Sequence, residues 1–130
     1  MKIQIVKDVL AGSNAAAAEN RRRLDAAGVL AVNLLSAPGS GKTTLLQRTV
    51  PAMGPELRCA VLVGDLQTTR DAERLGGTGA PVTQINTGRG CHLSPGEVAA
   101  GLDTLDLDAL DILFIENVGN MVCPAAFDLG

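Results

Sequence analysis

Four short apolar runs recur along the chain, each bounded by turn residues and separated from the next by a stretch with helical spacing. The first is Val29-Leu30-Ala31-Val32-Asn33-Leu34-Leu35, held between Gly28 and Ser36-Ala37-Pro38-Gly39. Its length and flanks predict a buried strand. Cys59 to Gly64, Val82 to Asn86 and Asp111 to Glu116 read as strands in the same way. Between them the spacing predicts a helix from about Gly41 until Pro51, whose ring forbids its continuation. A short helix over 68–75 is stopped by Gly76-Gly77. Ser94-Pro95-Gly96-Glu97 has the form of a capping box with proline at the first helical position, so a helix runs from there to about Leu105.

The N-terminal part is less regular. Residues 3–12 mix polar and apolar positions without a clear period, whereas Asn14 predicts the cap of a helix running to about Ala27 and ended by Gly28. Within it, Arg21-Arg22-Arg23 reads as a solvated face. Strands alternating with helices imply βαβ units, hence a parallel sheet with right-handed crossovers. Fourteen residues follow Glu116. Folds of this class normally continue with further strands, so the chain reads as the first part of such a domain with one sheet edge uncovered.

Composition sharpens this picture in two ways. The chain has 130 residues, which suits one domain, and only two Phe with no Tyr or Trp, so its core must be aliphatic. A net charge of −3 argues against a nucleic-acid partner, which selects a basic face. No apolar run approaches the ~18 residues of a membrane span, and Lys2, Gln4, Lys7 and Asp8 interrupt any signal-like start. A cytoplasmic location without membrane or nucleic-acid contact is therefore expected, with the three cysteines as thiols or metal ligands rather than disulfides.

Ser36-Ala37-Pro38-Gly39-Ser40-Gly41-Lys42-Thr43 fits G-x-x-x-x-G-K-[ST] except at its first position, where Ser36 stands for Gly. The motif lies between a predicted strand and a predicted helix, as phosphate binding requires. Gly39 and Gly41 let the backbone turn its N–H groups around a phosphate, and the helix N-terminus adds its dipole. Lys42 is placed to bridge β- and γ-phosphate oxygens, and the Thr43 hydroxyl to ligate Mg²⁺. The phosphates are thus expected against Pro38, Gly39, Ser40, Gly41, Lys42, Thr43 and Thr44. Magnesium also needs a carboxylate at a neighbouring strand end, and Asp65 and Glu116 stand at two such ends. Asp71 and Glu73, on a short exposed helix, are weaker candidates. The catalytic set is Lys42, Thr43, Asp65 and Glu116, in an α/β P-loop NTPase fold: a three-layer sandwich with a mainly parallel sheet, C-terminally incomplete. Residues 1–28 form an N-terminal segment and helix, and residues 29–130 the P-loop domain.

Cys91 and His92 are adjacent, and Cys123 lies in the loop after the fourth strand. Loops after parallel strands gather along one sheet edge, so the three can approach one another. Thiolates with an imidazole suit Zn²⁺ or Ni²⁺, but one chain offers three ligands where a closed site wants four. A metal site and unrelated loop thiols both remain open on spacing alone. Cys59, within an apolar strand, reads as a small buried hydrophobe.

NLLSAPGSGKTTLL at 33–46, GDLQTTRDAERL at 64–75, QINTGRGCHL at 84–93 and FIENVGNMVCPAAFDLG at 114–130 closely resemble the HypB family, SIMIBI-class GTPases that help insert nickel into [NiFe]-hydrogenases. The likeness covers most of residues 14–130, and GCHL with ENVGN-x-VCPA-x-FDLG is far more specific than the phosphate loop. The related urease GTPase UreG has C-P-H and lacks ENVGN, and ParA-like ATPases carry an additional loop lysine where Ala37 stands here. The resemblance implies GTP hydrolysis with Mg²⁺, with Asp65 and Glu116 near the metal and γ-phosphate. It implies that Cys91, His92 and Cys123 bind nickel or zinc at a GTP-favoured homodimer interface, and that the metallochaperone HypA and, indirectly, the hydrogenase large subunit are partners.

Two departures qualify it. Neither a His-rich N-terminal stretch nor a Cys-rich nickel motif is present, so nickel storage is not expected. An N-K-x-D motif, which would select guanine, is also not found among these residues; guanine preference rests on the resemblance. A non-catalytic metal- or partner-binding fragment is the main alternative, a UreG-like role another. An ATP-dependent P-loop kinase ranks last, because ENVGN and Cys91-His92 serve no acceptor substrate.

Overall fold

The computed structural model describes residues 4–37, 41–65, 70–87, 92–119 and 128–130, with side chains from residue 14 onward except at 65, 70 and 71. Four strands, β1 (Leu30–Leu34), β2 (Cys59–Asp65), β3 (Val82–Asn86) and β4 (Ile112–Glu116), pair in the order β1-β4-β2-β3, every pair parallel. Helices α1 (Gln4–Ala27), α2 (Lys42–Met53), α3 (Arg70–Gly76) and α4 (Pro95–Asp103) supply the connections and the outer layers.

The alternation of the central strands divides the core. Ala60 and Leu62 of β2 with Leu113 and Ile115 of β4 face Leu24 of α1 and Val98 and Leu102 of α4. Val61 and Val63 with Phe114 face Leu46 and Val50 of α2 and Leu75 of α3. Two apolar faces on one sheet give the three-layer α/β sandwich. β2 is buried on both faces along its described side chains, as a central parallel strand must be. Among the described residues no helix is long and apolar enough to cross a membrane.

Several expectations are corrected. α1 begins at Gln4, and Asn14 lies exposed in its interior instead of capping it. Four consecutive alanines favour the helix over 15–18, and Ala17, Asn20 and Leu24, spaced along one face, are buried. Gly28 does end this helix, in a left-handed conformation (φ 70°) with Val29 N donating to Leu24 O. α2 passes through Pro51 to Met53: a proline in the last turn forfeits one bond and need not stop a helix already formed. β1 is half-exposed rather than buried, since among the described strands it pairs only with β4; Leu30 is 62% exposed. The short 3₁₀ turn Leu107–Ala109 was not anticipated. The capping box at Ser94 is present in both directions, Glu97 N to Ser94 Oγ and Ser94 N to Glu97 Oε1.

Arg21 and Arg22 are solvated, as expected, and Arg23 is less so: it reaches across to Asp103 of α4 at 2.8 Å. Asn20, fully buried, donates from Nδ2 to Pro95 O (2.9 Å) and Leu129 O (2.8 Å), joining α1 to the start of α4 and to the 128–130 segment. At the opposite end, Asp111 accepts from Arg58 N (2.8 Å), Nε (3.2 Å) and Nη2 (3.2 Å), aligning the entries of β2 and β4.

The Arg58 side-chain hydrogen bonds, with the Arg58 N–H next, hold the Asp111 carboxyl below its ordinary value of 3.8. A lowered native value means the contribution is complete above the usual Asp range and is lost as pH falls through the native value. Thermal unfolding between about pH 5 and 3 should therefore steepen with acid in the wild type and flatten in Asp111→Asn. Identical slopes would show that this pair adds no acid-sensitive stability.

Candidate phosphate-binding site

Because all four strands run the same way, Leu34, Asp65, Asn86 and Glu116 end along one edge of the sheet. Residues 35–37 leave β1 at this edge, and Gly41 leads into α2, whose first turn lies at the same edge through Thr43. Gly41 makes the entry with φ 101° and ψ 19°, a left-handed geometry that a side chain would strain. Leu45 N donates to Gly41 O at 2.8 Å, closing the first turn.

The first turn of α2 sets the polar groups. Lys42 is half-buried, and Thr43 is almost wholly buried at 6% exposure. Its hydroxyl donates to Glu116 Oε1 at 2.6 Å, and Glu116 itself is 3% exposed at the end of β4. A hydroxyl-to-carboxylate bond of this length is charge-assisted and short. A carboxylate taken so far from water is costly unless donors or a cation compensate it. The two hard oxygen ligands, hydroxyl and carboxylate, suit Mg²⁺. Asp65 ends the adjacent strand β2, two residues beyond Val63, the residue in register with Glu116. Thr44 is exposed, and its Oγ1 accepts from Arg74 Nη2 at 3.0 Å; the same nitrogen donates to Gln47 Oε1 at 2.7 Å, fastening α3 to α2.

Pro38, Gly39 and Ser40 lie outside the described residues, as do Cys91 and Cys123. His92 is described and half-buried, on the same sheet edge, directly before the fully buried Leu93. Among the described residues no three His, Cys, Asp or Glu gather into a metal-sized group. Cys59 is buried, and burial first, then Asp111, pushes its thiol pKa up, which disfavours the thiolate that metal binding needs. It borders a cavity of about 650 Å³ at the opposite end of the strands, remote from the phosphate loop.

The family model for the CobW/HypB/UreG nucleotide-binding domain matches residues 30–128. The chain belongs to that family. It is 52% identical over 128 residues to the hydrogenase maturation factor HypB of Rhizobium leguminosarum bv. viciae, covering 98% of this chain and 43% of that protein. A crystal structure of HypB from Helicobacter pylori in complex with nickel superposes with a TM-score of 0.84 at 41% identity, covering 92% of this chain and 56% of that one. The structure of HypB from Archaeoglobus fulgidus gives 0.83 at 40% identity, with 93% and 59% covered. The chain thus spans about two fifths to three fifths of the length of these relatives, and the resemblance to HypB read from the motifs is borne out.

Sequence reasoning passed over two asparagines. Asn117, 1% exposed, accepts at Oδ1 from Leu93 N (3.0 Å) and Val118 N (2.9 Å) and donates from Nδ2 to Asn33 Oδ1 (3.2 Å). The signal was a lone polar residue, Asn33, inside an otherwise apolar strand, which wants a partner. Gly64 was likewise unread: a Cβ there would lie 2.7 Å from Leu93 Cγ, so the bare backbone is what lets Leu93 seat on the sheet beside His92. Gly64→Ala should lower unfolding stability in urea by about 1–3 kcal/mol, the usual cost of overpacking. A change within about 0.5 kcal/mol, as for an ordinary surface substitution, would show that Leu93 yields freely.

Proposed function

We propose that this chain is the nucleotide-binding part of a GTP-hydrolysing switch that gates nickel for insertion into a hydrogenase. The observation that carries the reading is the buried Thr43–Glu116 bond at the mouth of the β1–α2 turn. The HypB/UreG family is a GTPase family, and the named relatives are hydrogenase maturation factors, one of them in complex with nickel. The activity, the cargo and the partners are carried over on that footing.

In this reading the phosphates of GTP lie against residues 38–44. The N–H groups of the first turn of α2 would face their oxygens, and the Lys42 ammonium would bridge the β and γ groups. Thr43, Glu116 and Asp65 would hold Mg²⁺, which when bound neutralises charge on the phosphates. The reaction is phosphoryl transfer to water, and the chain contributes position and fixed charge rather than covalent chemistry. Nickel or zinc would be held by Cys91, His92 and Cys123, which follow β3 and β4 in the chain, strands whose C-terminal ends lie at the sheet edge where α2 begins. Three ligands per chain suit a site completed by a second copy, so the GTP-bound state favours a homodimer. HypA as nickel donor and the hydrogenase large subunit as recipient follow from the family.

Two separable sites make a direct test. Lys42→Ala should weaken GTP binding at least about tenfold, the scale of one lost charge-assisted contact, while nickel affinity without nucleotide stays within about twofold. Cys123→Ala should do the reverse, read by calorimetric titration of each ligand. Equal damage to both ligands by both substitutions would overturn the two-site reading.

A further inference from the structure

Glu116 and Asn117 are neighbours in the chain with partners on opposite sides. Glu116 takes the Thr43 hydroxyl of the phosphate turn. Asn117 closes a longer circuit. Its backbone N–H donates to Leu34 O at 3.2 Å, and its Nδ2 donates to Asn33 Oδ1 at 3.2 Å, so it is anchored to the last residues of β1 before the phosphate loop. Its Oδ1 accepts from Leu93 N at 3.0 Å, the amide next after His92, and from Val118 N at 2.9 Å, just past the end of β4.

One buried side-chain amide thus ties three things together: the exit of β1, the His92-Leu93 backbone, and the Val118 backbone just past β4. Both ends of the amide are used, so it cannot rotate without leaving a buried N–H or a buried carbonyl without a partner, which costs about 1–3 kcal/mol. Leu93 packs closely over the bare backbone of Gly64, which leaves it the room to sit there. A movement of β4's end that accompanies a change at Thr43–Glu116 is therefore delivered to Leu93 through a bond rather than through slack.

We infer that Asn117 is the positioning residue that couples the nucleotide site to the metal loops. It touches neither ligand; it holds the Leu93 amide, and with it His92, in register with the strand that carries Glu116. The inference rests on the two-site reading above and goes beyond it by naming the connection. It also makes Asn33 a second member of the same circuit, since Asn33 accepts from the Nδ2 of an amide whose direction the Leu93 and Val118 N–H groups set.

The test is a thermodynamic cycle on the purified protein. Nickel affinity is measured with and without a non-hydrolysable GTP analogue and Mg²⁺, in the wild type, Asn117→Ala and Asn33→Ala. By linkage the ratio of the two affinities is the coupling, typically ~5–150-fold in allosteric proteins. The wild type should show such a ratio; both variants should bring it within about twofold of one, with nickel affinity in the absence of nucleotide and analogue affinity in the absence of nickel retained. A purely structural role would lower melting temperature or both affinities and leave the ratio alone. Asn33 is exposed at the strand edge, so Asn33→Ala keeps the test decisive if Asn117→Ala does not fold. A wild-type ratio preserved in Asn33→Ala, and in Asn117→Ala where it folds, overturns the coupling role and leaves the two-site reading standing. A ratio of one in the wild type overturns the gating reading and the inference with it.

Discussion

The buried contact between Thr43 and Glu116 constrains the rest of the molecule. A carboxylate at 3% exposure must be placed by elements that leave it little freedom. β4 does so from the middle of the sheet, between β1 and β2, and α2 presents the hydroxyl from its first turn. Everything that sets the register of β4 against β1 and the docking of α2 on the sheet therefore also sets this contact. The aliphatic face of Val61, Val63, Phe114, Leu46 and Val50 performs the docking. Burial of each such side chain is worth about 1.5–3 kcal/mol, similar to one hydrogen bond to a charged group, so the five together outweigh that bond and packing positions the polar pair.

Behind that contact the other face of the sheet carries a second, polar layer of fastening. Asn20 joins α1 to Pro95 and Leu129, Asn117 joins β1 to Leu93, and Gly64 leaves room for Leu93 to sit between them. These residues lie around the His92-Leu93 backbone and the end of β4. The same edge of one parallel sheet thus holds the start of α2, the Thr43–Glu116 pair and His92. Such proximity is what a nucleotide-gated metal site requires, because coupling needs a connection with two defined ends.

Much of this was legible in the residues. The four strands, the parallel topology implied by their alternation with helices, the capping box at Ser94 and the left-handed Gly28 all carry local signals, and the structure has them. What escaped was tertiary. An apolar run such as 29–35 reads the same at a sheet edge as at its centre, so its pattern alone predicts a buried β1. Asn14 looks like a cap until Ala17, Asn20 and Leu24 are seen to pack as one stripe. The pairing of Thr43 with Glu116 was expected only as a shared role, since 73 residues separate them and no local pattern encodes the distance. Asn117 could not be understood at all without its partners 24 and 84 residues away.

The most direct measurement of the central claim is the magnesium dependence of GTP-analogue binding in the wild type and in Glu116→Gln. Glutamine keeps the shape and an acceptor for Thr43 but removes the charge that would hold the cation. The expected result is tighter binding with Mg²⁺ in the wild type and loss of that gain in Glu116→Gln, with magnesium-free affinity little changed. The same gain in both proteins would contradict a site built on Thr43 and Glu116.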